Sequence, residues 1–170
     1  MSDRYPLAKW QPAASSAFRK GTPDRAVDLI VCHITSGHAA AEGTASMFAT
    51  AGCRTSAHFV IGQDGTILQC VGLDDVAQHA HDANGHSVGI EHCAREPREF
   101  GPTDAGMALT DPQIAASVAL VEWLCDRYGL PLDRAHVKGH AEADPKTTHA
   151  GCPEAVYLGW PWERWIAPAC

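Results

Sequence analysis

A single α/β domain, with a mixed central β-sheet flanked by α-helices, is the architecture this sequence predicts. Three observations carry that expectation. Residues 28–34 form a short apolar run rich in β-branched side chains, which suits a strand buried on both faces. Runs at 57–61 and 66–71 are separated by Gly62, Gln63, Asp64 and Gly65, the composition of a hairpin turn. An amphipathic stretch at 111–128 then follows these strands, and strands alternating with helices build a sheet that the helices cover.

The elements run in order along the chain. Residues 1–25 are rich in Pro, Ala, Ser and Gly and read as an extended N-terminal arm, with Trp10 and Phe18 as its anchors on the core. His33 sits near the end of the first strand. Residues 39–51 are Ala-rich, and Ala40, Met47, Phe48 and Ala51 stand at helical spacing, which predicts a helix. The hairpin comes next, and residues 87–92 make a further strand after a polar loop of His, Asp, Asn and Gly. In the helix at 111–128, Thr110 and Gln113 read as a capping box, while Ile114, Val118, Val121 and Cys125 line one face. Gly129 and Pro131 stop it. Residues 134–138 read as a last strand, and 153–170 as a Trp-rich cap in which Trp160, Trp162 and Trp165 cover the core.

Composition narrows the function. At 170 residues the chain suits one domain spanning 1–170, and 45% hydrophobic with 19% charged residues is ordinary for a globular protein. A net charge of −7 without a Lys/Arg cluster argues against a nucleic-acid partner. The apolar runs are too short for a membrane span. The first residues hold no apolar segment followed by a cleavage site, so synthesis in the cytoplasm is expected. Cys32, Cys53, Cys70, Cys93, Cys125, Cys152 and Cys170 are odd in number and irregularly spaced, which reads as buried thiols rather than a disulfide framework.

Ten histidines are many for a chain this long, although a lone His is ordinarily structural. The segment 138–153 is the most informative: His140 at a strand end, then Cys152 on a loop stiffened by Pro145 and Pro153. Imidazole and thiolate are both good zinc ligands, and with His33 the set becomes three ligands and an open fourth position, the arrangement of a catalytic site for one zinc ion. His79 and His58 flank this set as candidates for substrate contact, His58 also as a structural hydrogen-bonding residue. Cys32 should point away from His33 into the core.

Six fragments then line up in order: Lys9, Trp10 and Pro12; 29–35 with His33; 56–67; Gln78, His79 and Ala80; 87–91 with Glu91; and Gly139, His140, Lys146, Cys152 and Pro153. From Trp10 to Trp165 the sequence thereby resembles the zinc-dependent N-acetylmuramoyl-L-alanine amidases, the fold shared by phage amidase-type lysozymes, AmpD-like amidases and peptidoglycan recognition proteins. The resemblance implies hydrolysis of the amide between N-acetylmuramic acid and L-alanine in peptidoglycan or muropeptide. It implies zinc on His33, His140 and Cys152, proton transfer by Glu91 and a cationic oxyanion partner in Lys146. Delivery to a wall by lysis or a secretion system would add delivery machinery or an immunity protein as partners. Ala57 stands where some members carry Tyr, so a mechanism using that Tyr is unavailable. The loop from Lys146 to Cys152 is longer than usual and leaves His149 as a rival third ligand. Two other readings stay open: a non-catalytic muropeptide-binding module of the same fold, and a Cys–His peptidase using Cys93 or Cys32.

Overall fold

Strand β3 (Leu29–Ile34) is buried along its whole length and carries the rest of the sheet on its two edges. On one side it pairs with β7 (Ser87–His92), on the other with β8 (Val137–Gly139), both parallel. The sheet continues from β7 to β4 (Phe59–Ile61), also parallel, then to β5 (Ile67–Gln69), antiparallel, and β1 (Lys9–Trp10), parallel to β5. A separate ribbon pairs β2 (Phe18–Arg19) with β6 (Val76–Ala77). This mixed six-stranded sheet belongs to a computed structural model that describes residues 3–35, 37, 39–94, 109–149, 151–153 and 160–166.

Alternation along the strands sorts side chains between two faces. Ile30, Cys32, Phe59, Ile61, Val88 and Ile90 join one core cluster with Ile114, Leu120, Val121 and Leu124 of α2 (Asp111–Tyr128). The other face carries Leu29, Val31 and His33 of β3, and α1 (Ala41–Ala49) packs over Val60 and Leu68 nearby. The helical stripe of α1 differs from the expected one. Its buried residues are Ala41, Thr44, Ala45 and Phe48, the spacing of one face, whereas Met47 lies off that face at 51% exposure and Ala51 lies beyond the helix end.

Helix α2 starts and stops where the sequence places it, with Gly129 at φ 65° as its C-cap. Only half of the capping box forms, however. Thr110 accepts from the Gln113 backbone N–H at 3.2 Å, but the Gln113 side chain is fully buried and donates to the carbonyls of Ile61 (2.8 Å) and Cys93 (3.0 Å). Satisfying buried strand-end carbonyls outweighs reciprocal capping. The last strand also begins later than expected. Asp133 Oδ1 accepts from the N–H groups of Ala135 and His136 and meets His136 Nδ1 at 2.7 Å, so a turn occupies these residues before β8.

Trp10 is not an anchor of the arm: it is 40% exposed, with the Arg4 guanidinium 3.7 Å from its ring centroid. Tyr5 takes that part, buried edge-on to Phe59 with its backbone N–H on Gln69 Oε1 at 3.0 Å. Phe18 is half-buried. Near the C-terminus Trp160 and Trp165 stack at 5.2 Å and both meet His92 edge-on. Residues 154–159 and 167–170, including Cys170, lie outside the described residues. Of the other cysteines, Cys53 is half-buried and the remaining five are buried free thiols.

A hydrogen-bonded chain ties these tryptophans to β3. Trp165 Nε1 donates to Ser117 Oγ (2.9 Å), the Ser117 hydroxyl donates to His92 Nε2 (2.7 Å), and His92 Nδ1 donates to the His33 carbonyl (3.0 Å). His92 is therefore neutral, and burial lowers its pKa to about 4; burial lowers His58 to about 3, with the Arg25 charge adding to the effect. Both values lie below the ordinary 6.5, so the unfolded chain takes up protons first on acidification. Folding stability should be full above pH 6.5 and fall as the pH drops from there towards 4. Urea midpoints between pH 7 and pH 4.5 will show this loss, and His92→Gln will flatten the slope.

Candidate active site

Parallel pairing in register sets His33 of β3 directly beside Glu91 of β7, on one face and one residue from the carboxyl end of each strand. On the other edge β8 ends at Gly139, opposite Cys32, and the chain turns into the short helix α3 (His140–Ala143). The His140 ring centroid lies 4.4 Å from that of His33. Gly139 makes room for the returning loop: a Cβ there would sit 2.7 Å from Pro153 Cδ and 3.2 Å from the Cys152 carbonyl. That carbonyl accepts from the Ala141 N–H at 2.9 Å, which fixes Cys152 against α3.

His33, His140 and Cys152 are all buried, and one donor atom from each lies within 4.8 Å of the others. Their remaining polar atoms are arranged to suit a cation. His140 Nε2 faces Asp144 Oδ2 at 3.3 Å, while its Nδ1 is buried and has no partner among the described residues. Burial lowers the pKa of His140, and for His33 burial is reinforced by the neighbouring rings of His79 and His140, so both rings are neutral. Burial pushes the Cys152 thiol up to about 12, with the Glu91 carboxylate contributing. A dication is what would draw off that proton, and two neutral imidazoles with a thiolate match the donor set of zinc.

Glu91 stands beside this set with its pKa pushed up to about 7 by burial and its Oε2 unpartnered among the described residues. The four residues line a cavity of about 340 Å³, with Met47 and Phe48 on its apolar side. An adjoining groove of about 330 Å³ shares Gln78, His79, His140 and His149 and reaches Arg54. Asp144 was not legible as a site residue. It is buried, it also takes His81 Nδ1 at 2.5 Å, and its spacing of four from His140 on a helical turn is the one signal that pointed to it.

Other sequence candidates fall elsewhere. His149 is exposed, with its ring 5.7 Å from His140, and is not in the donor set that includes Cys152. Lys146 is exposed and its ammonium pairs with Asp82, outside the cavity lining. His58 is fully buried and outside the cavity lining, with Nδ1 accepting from the Gly89 N–H and Nε2 facing the Asp75 carbonyl and Arg25, the arrangement of its structural reading. His79 lines the cavity, but both ring nitrogens are engaged, by His33 and by Ser87, which leaves neither for substrate. Cys32 and Cys93 are fully buried thiols raised to about 12, which removes them as nucleophiles. Ala57 is buried in the apolar cluster under α1.

Two imidazoles and a thiol converging at the ends of parallel strands, beside a carboxyl of raised pKa, define a hydrolytic type of centre. A sequence profile described as N-acetylmuramoyl-L-alanine amidase matches residues 23–155. N-acetylmuramoyl-L-alanine amidase A of Achromobacter lyticus is 32% identical over 124 residues, 72% of this chain and 64% of that protein, so the match leaves about a third of the relative unspanned. Among solved structures, a selenomethionine derivative of AmpD aligns with a TM-score of 0.71 at 25% identity, over 97% of this chain and 96% of that one. A mutant endolysin from Bacillus subtilis shares the fold at a TM-score of 0.65 and 23% identity, over 92% and 96% of the two chains. The chain belongs to the N-acetylmuramoyl-L-alanine amidase family.

The donor set carries its own test. Cys152→Ala and His140→Ala proteins should lose bound zinc on metal analysis, whereas His149→Ala should keep full occupancy. Asp144→Asn should weaken zinc retention against a chelator by roughly 10- to 100-fold, as for other partners of a ligating His.

Proposed function

We propose that this chain is a zinc-dependent hydrolase of the amide joining N-acetylmuramic acid to L-alanine in peptidoglycan. The observation that carries the reading is the His33, His140 and Cys152 donor set beside Glu91 at the base of one cavity, and family membership supplies the bond. Zinc held by the three residues would supply Lewis acidity for the scissile carbonyl and the attacking water. Glu91 takes a proton from that water and hands it to the leaving amine, a task suited to a carboxyl whose pKa burial has raised to about 7. Lys146 lends a positive charge to the oxyanion on leaving Asp82. The apolar side formed by Met47 and Phe48 excludes water from the reacting carbonyl.

Peptidoglycan or soluble muropeptide is the substrate in this reading, and delivery machinery or an immunity protein are partners where the wall belongs to another cell. A module that only binds muropeptide would leave every wall bond intact. Digestion of purified sacculi should release stem peptides with a free N-terminal L-alanine and leave glycan strands uncut. New reducing sugar ends, or alanine still joined to muramic acid, would overturn the assignment, and chelation should abolish release reversibly.

Glu91 gives a paired prediction. Glu91→Gln should lower the rate by about 100-fold or more with zinc still bound. In the metal-free protein the raised pKa means that Glu91 favours folding below its ordinary 4.5 and progressively loses that contribution as the pH rises through 7. Glu91→Gln should therefore raise the melting temperature of metal-free protein at pH 8 more than at pH 5.

A further inference from the structure

We infer that His79 is a positioning residue for the metal ligand His33: with Ser87 it fixes the His33 ring in the Nε2–H form and leaves the Nδ1 lone pair for the cation. The inference rests on the metal-binding part of the reading above and goes beyond it, because it assigns a role to a pair of residues outside the donor set.

The argument starts at the one bond whose direction is fixed. Ser87 Oγ lies 2.7 Å from the Ala83 carbonyl, and a carbonyl can only accept, so the single Ser87 hydroxyl proton points there. Ser87 Oγ is then an acceptor towards His79 Nε2 at 3.1 Å, which must carry a proton. Among the described residues the His79 ring meets His33 and Ser87 and no carboxylate that would hold a second proton on it, so the ring is neutral and its Nδ1 is bare. That bare nitrogen lies 2.9 Å from His33 Nε2, which must in turn be the donor. A neutral His33 protonated at Nε2 has its remaining lone pair on Nδ1. The opposite direction would put Ser87 Oγ and the Ala83 oxygen in contact at 2.7 Å with no proton between them.

The backbone is shaped to hold this relay. Gly89 lies between Ser87 and Glu91 on the same face of β7, and the His79 ring rests on it. A Cβ at Gly89 would stand 2.7 Å from His79 Cγ and Nδ1, so any other residue there would push the ring off His33. Asn84 adds a second restraint, with Oδ1 accepting from the backbone N–H groups of His79 (2.8 Å) and Ala80 (2.7 Å). Strand period, a missing side chain and an amide clamp thus all serve one ring orientation.

Imidazole ¹⁵N NMR of the metal-free wild-type chain reads the tautomer directly. The expected spectrum shows His33 protonated at Nε2 and bare at Nδ1, and His79 likewise. In Ser87→Ala, His79 loses the acceptor for its Nε2 proton and His33 should become a mixture of tautomers, a signature that loss of packing alone would not give. Zinc affinity, measured by competition with a chromogenic chelator, should fall by roughly 10- to 100-fold in His79→Ala and by less in Ser87→Ala. His33 in the Nδ1–H form in the wild type, or wild-type zinc affinity in folded His79→Ala, would overturn the inference. A wild type that takes up no zinc would sink the metal-dependent function instead, while the NMR spectrum would still decide the relay.

Discussion

The site depends on the in-register parallel pairing of β3 with β7. His33 and Glu91 come from distant parts of the sequence and become neighbours because Leu29 pairs with Ser87 and every later residue keeps step. A slip of one residue would turn His33 off the face that carries Glu91 and into the α2 core. The register is held by the buried apolar side chains of Ile30, Cys32, Val88 and Ile90 on one face and of Leu29 and Val31 on the other, and from the end by His92, which bonds the His33 carbonyl across the strands. With β8 parallel on the other side, the carboxyl ends of the three strands open at one place, where an α/β sheet offers a crevice.

That placement carries an energetic cost. An unpartnered buried polar atom costs about 1–3 kcal/mol, and among the described residues Glu91 Oε2 and His140 Nδ1 are both in that condition. Cys152 is held as a neutral thiol and His33 as a neutral ring in the same small volume. A cation would satisfy all of them at once, and its binding would then be linked to folding. Asp144 and His79 hold the His140 and His33 rings from behind, one by a carboxylate and one by an imidazole.

The architecture was legible where hydrophobic pattern and turn chemistry agreed. The strands at 29–34 and 87–92, the hairpin and α2 announce themselves through β-branched runs, Asp64 with Gly65, and Thr110 with Gly129. The clustering of His33, His140 and Cys152 was legible through residue type and order. Tertiary partners were not. Gln113 looks like a capping residue until the strand-end carbonyls claim it, and Met47 looks apolar enough for the core until α1 turns its small residues inward. His58 and His79 carry the same side chain with three strands between them in sequence, and only Gly89 between their rings shows that one supports backbone and the other supports His33. Two-residue strands such as β1 and β2 have too little pattern to announce themselves.

The bond chain from Trp165 through Ser117 and His92 to the His33 carbonyl has a further consequence. Trp160 and Trp165 both lie against the His92 ring, so the charge of that ring is felt directly by two indoles. Indole emission is sensitive to a neighbouring imidazolium, which makes these tryptophans an optical gauge of the strand that carries His33. A disturbance of β3 reaches Trp165 through three hydrogen bonds, and Trp160 through its contact with the His92 ring, so the emission of these two indoles would follow the strand beneath the cavity without any added label.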